Sequence, residues 1–293
     1  MSEYSTETTE TTKLRQINGP FILVITNLVD ESYLRSDDGS THISATINAP
    51  SNNFAEATAQ ALVNGKMHIF GGESDGKKIA RLDDCSLNEL PARLYKSREY
   101  SHSALSIENG RKALICFGDD VKFCETFDGT SAVKTFAADL SHNYGGLGLY
   151  RNQPATVGCA YERHNKAETL SATGWTALPD HPLRISSHSL VGLENQSMLL
   201  IGGYAFESGY QTGIWQLKDK EWSRFGKLLQ PGGYGSALYD NRFIYFFAGD
   251  PHPYAIQRLE LNESEKLEKV EVMGNQRGQF FSPVLVKTDY FCG

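Results

Sequence analysis

The chain has 293 residues, 40% hydrophobic and 22% charged, which is ordinary for a globular protein, and a net charge of -7. No run of Lys and Arg supplies the basic footprint that nucleic-acid binding needs, so a nucleic-acid partner is disfavoured. No apolar stretch reaches 18 residues, so neither a spanning helix nor a membrane partner is expected.

The opening "MSEYSTETTETTKLRQ" is polar, acidic and threonine-rich, with no apolar core of signal-peptide length. On that ground the cytoplasm is the expected compartment. Residues 1–9 are set apart as a polar segment that is β-branched enough to add a seam strand, and 10–293 form one domain. From there an apolar-then-small pattern recurs. It reads "FILVITN" from Phe21, "MHIFGGE" from Met67, "ALICFGD" from Ala113 and "ATVGCAY" from Ala155, then "MLLIGGY" from Met198, "IYFFAGD" from Ile244 and "DYFCG" from Asp289. The positions aligned with the first glycine are Thr26, Gly71, Gly118, Gly158, Gly202, Ala248 and Cys292, spaced 40 to 47 residues apart. Such regularity marks a repeat architecture.

Each unit has the same internal order. A strand of small residues comes first, as in "EATAQALV" or "YSHSALSI", and a tight turn joins it to the apolar run. The turn is clearest in "VNGK" (Val63–Lys66) and "INGP" (Ile17–Pro20), where Asn-Gly suits a two-residue hairpin. An alternating third strand follows ("KIARLDD", "GIWQLKD"), then an edge-like fourth with Trp175/Leu178 or Trp222/Phe225. Four short strands per ~45 residues, with no amphipathic helix between them, is the pattern of a propeller blade. The glycines fit a crowded hub and the tryptophans fill the wedge between diverging blades.

With four apolar residues, a Gly-Gly pair and then spaced aromatics, "MLLIGGY…IWQL…EWSRF" resembles the kelch repeat, and "MHIFGG" carries half of it. The resemblance covers the chain from about residue 10 to the end and rests on the number of units. It implies an all-β, kelch-type propeller of four-stranded antiparallel blades. Seven first and second strands favour seven blades with an incomplete seam blade; six blades, with the terminal pairs overlapping, is the competing count.

Candidate binding residues come from two features. "REYSH" and "RISSH" place Arg98/His102 and Arg184/His188 where one blade passes into the next, with Arg277 in "NQRGQFF" read as a third such position. They serve either as satisfied packing groups or as a ring of guanidinium forks that grips acidic groups. The loops after the glycine position carry Tyr161, Arg163, Tyr204, Phe206, Tyr210 and Tyr254, aromatic anchors suited to a partner protein. Lys77, Lys78 and Arg81, the densest basic cluster, are read as a solvated strand edge.

Five cysteines form no CxxC pair, so zinc and thioredoxin-like chemistry lack support. Cys116 and Cys124 flank "FGDDVKF" on adjacent strands, within disulfide reach. The resemblance to secreted kelch-type proteins implies a pairing there, and a paired Cys116–Cys124 would make the location extracellular. No metal set, cofactor or catalytic residue is assigned: the eight histidines are scattered, and neither G-x-S-x-G nor HExxH occurs. The expected function is a non-catalytic scaffold that binds another protein through its loop face. The alternative is a sugar-binding or epimerase-like propeller with the Arg and His residues at its channel mouth.

Overall fold

The computed structural model describes residues 15–119, 121–279 and 281–292. Residues 1–9 lie outside that range, and with them the expected seam strand. Five stretches of chain fold in turn into four-stranded antiparallel sheets with their strands in sequence order. Blade 1 is Ala59–Val63, Lys66–Phe70, Ile79–Asp83 and Ser86–Glu89; blade 2 is His102–Ile107, Lys112–Phe117, Phe123–Phe127 and Ala132–Ala137. Blade 3 is Gly148–Tyr150, Gln153–Val157, Ala167–Ser171 and Gly174–Leu178. Blade 4 is Ser189–Gly192, Met198–Ile201, Gly213–Lys218 and Glu221–Lys227. Blade 5 is Ser236–Asp240, Phe243–Phe247, Ala255–Leu261 and Leu267–Asn275. A sixth sheet joins the two ends of the chain, in the order Val284–Phe291, Arg15–Ile25, Tyr33–Ser36, His42–Ser44.

Seven antiparallel sheets result, but they are not equal: six have four strands and the seventh has three short ones. The seventh is Ile185–Ser186, Tyr204–Ala205 and Gly209–Tyr210. Its strands alternate along the chain with those of blade 4, so it extends that blade past Gly202 and Gly203 without adding a repeat. The packing gives the same count of stations. Six apolar clusters each join two neighbouring blades: 1 to 2 through Phe70 and Phe127, 2 to 3 through Phe117 and Leu147, and 3 to 4 through Val157 and Leu200. The others join 4 to 5 through Leu199 and Phe246, 5 to seam through Phe247 and Leu285, and seam to 1 through Leu23 and Ile69. The cycle returns to its start, a propeller closed by overlapping terminal pairs.

Two local readings change for the same reason. Val284–Phe291 is one uninterrupted strand, so "DYFCG" is not the second arm of a hairpin; it pairs with the N-terminal strand, Leu23 opposite Val286 and Arg15 opposite Phe291. "INGP" is no hairpin turn either. It sits inside Arg15–Ile25 as a bulge where the register shifts between Gln16 and Phe21. "VNGK" does turn as expected, with Asn64 and Gly65 at φ 50° and 75°.

Strand order sets the radial taper. The second strands are sandwiched between neighbouring blades; Met198–Ile201 is buried at every residue, which is why these segments read as unbroken apolar runs. Each fully buried Leu or Ile there contributes ~1.5–3 kcal/mol. The first strands are less evenly buried: all six residues of His102–Ile107 are half-buried, and Ala59–Val63 alternates. Gly158 illustrates the crowding at the end of a second strand. Its φ is +68°, and a Cβ on it would fall 1.9 Å from the Ile185 carbonyl oxygen. In blade 2 the first of two successive left-handed residues is Phe117, at φ 65°, and Gly118 follows at 89°, so the anchor there lies one residue earlier than the glycine suggests.

Two disulfides brace the ring. Cys116 and Cys124 face each other on adjacent strands of blade 2, as the sequence allowed. Cys85, at the outer turn of blade 1, bonds Cys292 at the end of the last strand and so stitches the seam shut. Cys159 is buried and free. No helix of the described residues is long and apolar enough to cross a membrane.

Candidate binding face

The site is built on the loops that carry the chain from each fourth strand into the next first strand. Every such loop ends in a residue of left-handed backbone: Ala57, Ser101, Tyr144, Ser187, Tyr234 and Ser282, with φ between 47° and 58°. Such a conformation is uncommon for residues other than glycine and needs support. For five of the six the support is a belt of main-chain hydrogen bonds that runs from one loop to the next. Tyr144 donates its N–H to Ser101 O (3.1 Å), Ser187 to Tyr144 O, Tyr234 to Ser187 O and Ser282 to Tyr234 O (each 2.7 Å).

A second device anchors the same loops from the side. Third-strand residues of three blades accept successive loop N–H groups. Glu125 takes Tyr95 and Lys96, Glu168 takes Asp139 and Leu140, and Gln257 takes Leu229 and Gln230. In blades 2 and 3 a basic side chain completes the arrangement. Arg98 Nη2 lies 3.1 Å from Glu125 Oε1, and His142 Nε2 lies 2.8 Å from Glu168 Oε2. Burial works against the Glu168 carboxylate, yet the His142 and backbone donors hold it below the usual range.

The belt carries aromatic rings on its outer face. Tyr144 meets Tyr234 edge-on at 5.5 Å and Tyr161 at 6.3 Å, and Tyr234 meets Phe281 at 5.1 Å. A second group adjoins it: Tyr204 packs edge-on against Tyr210 (5.2 Å) and Phe206 (5.9 Å), and Tyr210 donates its hydroxyl to Asp250. Tyr161 is 57% exposed, Phe281 39% and Tyr100 37%. Burial, then the neighbouring phenols and Asp119, pushes the Tyr144 hydroxyl up to about 12.

The predicted residues divide sharply. Tyr161, Tyr204, Phe206 and Tyr210 belong to this face, and the Arg163 guanidinium lies 5.6 Å from the Phe206 ring. Tyr254 is half-buried, edge-on to His252 at 5.4 Å. Arg184 is exposed but paired with Glu207. The remaining basic candidates are corrected. Arg98 is fully buried, its guanidinium spent on Glu125 and the carbonyls of Phe117 and Phe123, so it cannot reach a ligand. His102 turns its Nε2 to within 2.8 Å of Phe70 O, and burial pushes its ring down to about 4. His188 is buried and pushed down to about 3 for the same reason. Arg277 is exposed beside Tyr33 and His42 on the seam blade, on whose ionisation its charge acts, and does not extend a ring of cations. Lys78 is no solvated edge group: it is fully buried, 2.8 Å from Ser74 Oγ and 5.0 Å from the Phe54 ring centre, and burial pushes it down to about 8.

Among the described residues, no three His, Cys, Asp or Glu side chains come together as a metal set. No protein-family model and no curated protein matches the chain.

Sequence reasoning missed Tyr100, Tyr144, Tyr234 and Phe281. The signal was present: "REYSH", "HNYGG", "GGYGS" and "QFFSP" each put an aromatic at or next to the belt residue.

Proposed function

We propose that this chain is a kelch-type propeller that works as a non-catalytic binding module and takes a partner protein on its aromatic loop face. One observation carries the reading: a contiguous arc, Tyr161–Tyr144–Tyr234–Phe281, is partly exposed while its backbone is locked by the belt. Rigid aromatic anchors give a partner large contact area at little entropic cost. An epimerase-like channel site draws no support, because Arg98 and His102 are engaged inside the fold and His188 is buried. Two disulfides favour an oxidising compartment over the cytoplasm as the place of action.

The test is affinity capture with immobilised wild-type protein and the Tyr161→Ala/Phe281→Ala double variant, after both are shown to unfold at the same temperature. The expected result is a protein retained by the wild type and lost from the variant. Retention by both, or a glycan array that lights up and is competed by free sugar, overturns the reading.

A further inference from the structure

The character of the partner can be read from charge, on the premise that this face is a binding face. On one side of the arc, Tyr100 sits among carboxylates. Glu73 N–H donates to Glu56 O (3.1 Å) and Gly72 N–H to Arg98 O (2.9 Å), which sets Glu56, Glu73 and the Glu99–Tyr100 stretch side by side, and Glu73, then Glu56 and Glu99, raise the Tyr100 phenol. Glu56 is itself raised, by burial first and then by the charge of Glu73. Asp119 acts on Tyr144 from the same side, and Asp250 accepts from Tyr210 on the other. Among the described residues no Lys, Arg or His forms an ion pair with Glu56, Glu73, Glu99, Asp119 or Asp250. Of the nearby cations, Arg98 is committed to Glu125, Arg184 to Glu207 and Lys78 to the core, while Arg163 lies over the Phe206 ring on the Tyr204 side of the face. The sequence-based expectation of guanidinium forks for acidic groups is thereby inverted.

We infer that the occupant of this face is a basic segment of a partner protein, whose Lys or Arg side chains seat on the rings of Tyr144 and Tyr161 and against the carboxylates of Glu73 and Asp119. Aromatic faces attract cations through their quadrupole, and unpaired acids beside them add to the same field. A partner bringing positive charge relieves the Glu56–Glu73 repulsion; an acidic one adds to it.

Fluorescein-labelled oligo-lysine, oligo-arginine, oligo-glutamate and Gly-Ser peptides of equal length supply the probes, titrated by anisotropy at low and physiological salt. Because the chain is acidic overall, the comparison rests on variants of equal charge: Glu73→Gln and Asp119→Asn at the face, and Glu263→Gln on the exposed outer turn of blade 5. The expected result is binding of the basic probes only, weakened about threefold by each face variant taken singly and by Tyr161→Ala, and unchanged by Glu263→Gln. Binding of oligo-glutamate, no binding of any basic probe, or equal weakening by Glu263→Gln overturns the inference. A captured protein partner that depends on Tyr161 and Phe281 but not on Glu73 or Asp119 would sink this inference and leave the protein-binding reading standing.

Discussion

Arg98 and Glu125 form an ion pair in which neither side chain has any exposure, with Nη2 3.1 Å from Oε1. Every remaining hydrogen bond of the pair goes to backbone, and that backbone is the loop entering blade 2 and the edge of its own sheet. The pair therefore holds the start of the belt in place. Its contribution is positional, because two charges leave water to form it.

Removing one member strands the other without water. Arg98→Ala and Glu125→Ala are each expected to lower unfolding free energy by ~3–5 kcal/mol in denaturant titrations. Blade 5 fills the same station with uncharged Gln257, which still accepts two loop N–H groups. The double variant Arg98→Met/Glu125→Gln is therefore expected to recover much of the loss. A double variant as unstable as the sum of the singles would contradict this account.

The two disulfides close loops of very different length, with separations of 207 and 8 residues. In the chain-entropy picture their removal costs about 5 and about 2.5 kcal/mol respectively. Cys85→Ala/Cys292→Ala should lower Tm more than Cys116→Ala/Cys124→Ala, and non-reducing peptide mapping should find both links with Cys159 free. A smaller shift for the seam pair would mean that strand pairing at the seam already does the closing.

Gly158 and Gly65 separate strain from collision. Both have positive φ, 68° and 75°, but a Cβ on Gly65 meets nothing within 4 Å. Gly65→Ala is expected to cost only the ~1–2 kcal/mol of left-handed backbone. Gly158→Ala adds a clash with the Ile185 carbonyl and should cost several-fold more by urea unfolding. Equal losses would show that Ile185 can yield.

The contrast between Gly158 and Phe117 explains how far the sequence could be read. The repeat was legible because a second strand buried on both sides must be apolar throughout, and because blades 1, 3 and 4 meet their close approach with glycine. Blade 2 meets it with Phe117, whose carbonyl takes a bond from Arg98, so the motif slipped by one residue. The closing strand was hidden for a different reason. Val284–Phe291 and Arg15–Ile25 are adjacent only through ring closure, and local pattern alone makes "DYFCG" look like a hairpin arm. Arg98, His102 and His188 were candidates by residue type, but burial decides whether a charge faces ligand or carbonyl. The belt aromatics lie in the same blade-to-blade junctions as the Arg and His candidates, but aromatic anchors were sought only in the loops after the glycine position.

His181 and His188 provide the pH test. Both are buried, and burial pushes them down to about 4 and about 3. Their folded pKa values lie below the unfolded value of about 6.5. Between those limits the unfolded chain binds protons that the native chain refuses, so stability is complete above about pH 6.5 and falls as the pH drops towards 4. Each histidine contributes a slope of about 1.4 kcal/mol per pH unit in that window. Glu56, raised in the native state, works in the opposite direction near its own titration and flattens the lower end. Trp215 and Trp222 pack edge-on against His181 at 5.3 and 4.9 Å, so tryptophan fluorescence reports the transition directly. Urea titrations from pH 7.5 to 4.5 should show falling stability, and His181→Gln should reduce the slope by about one proton. An unchanged slope would mean that the imidazole is protonated in place.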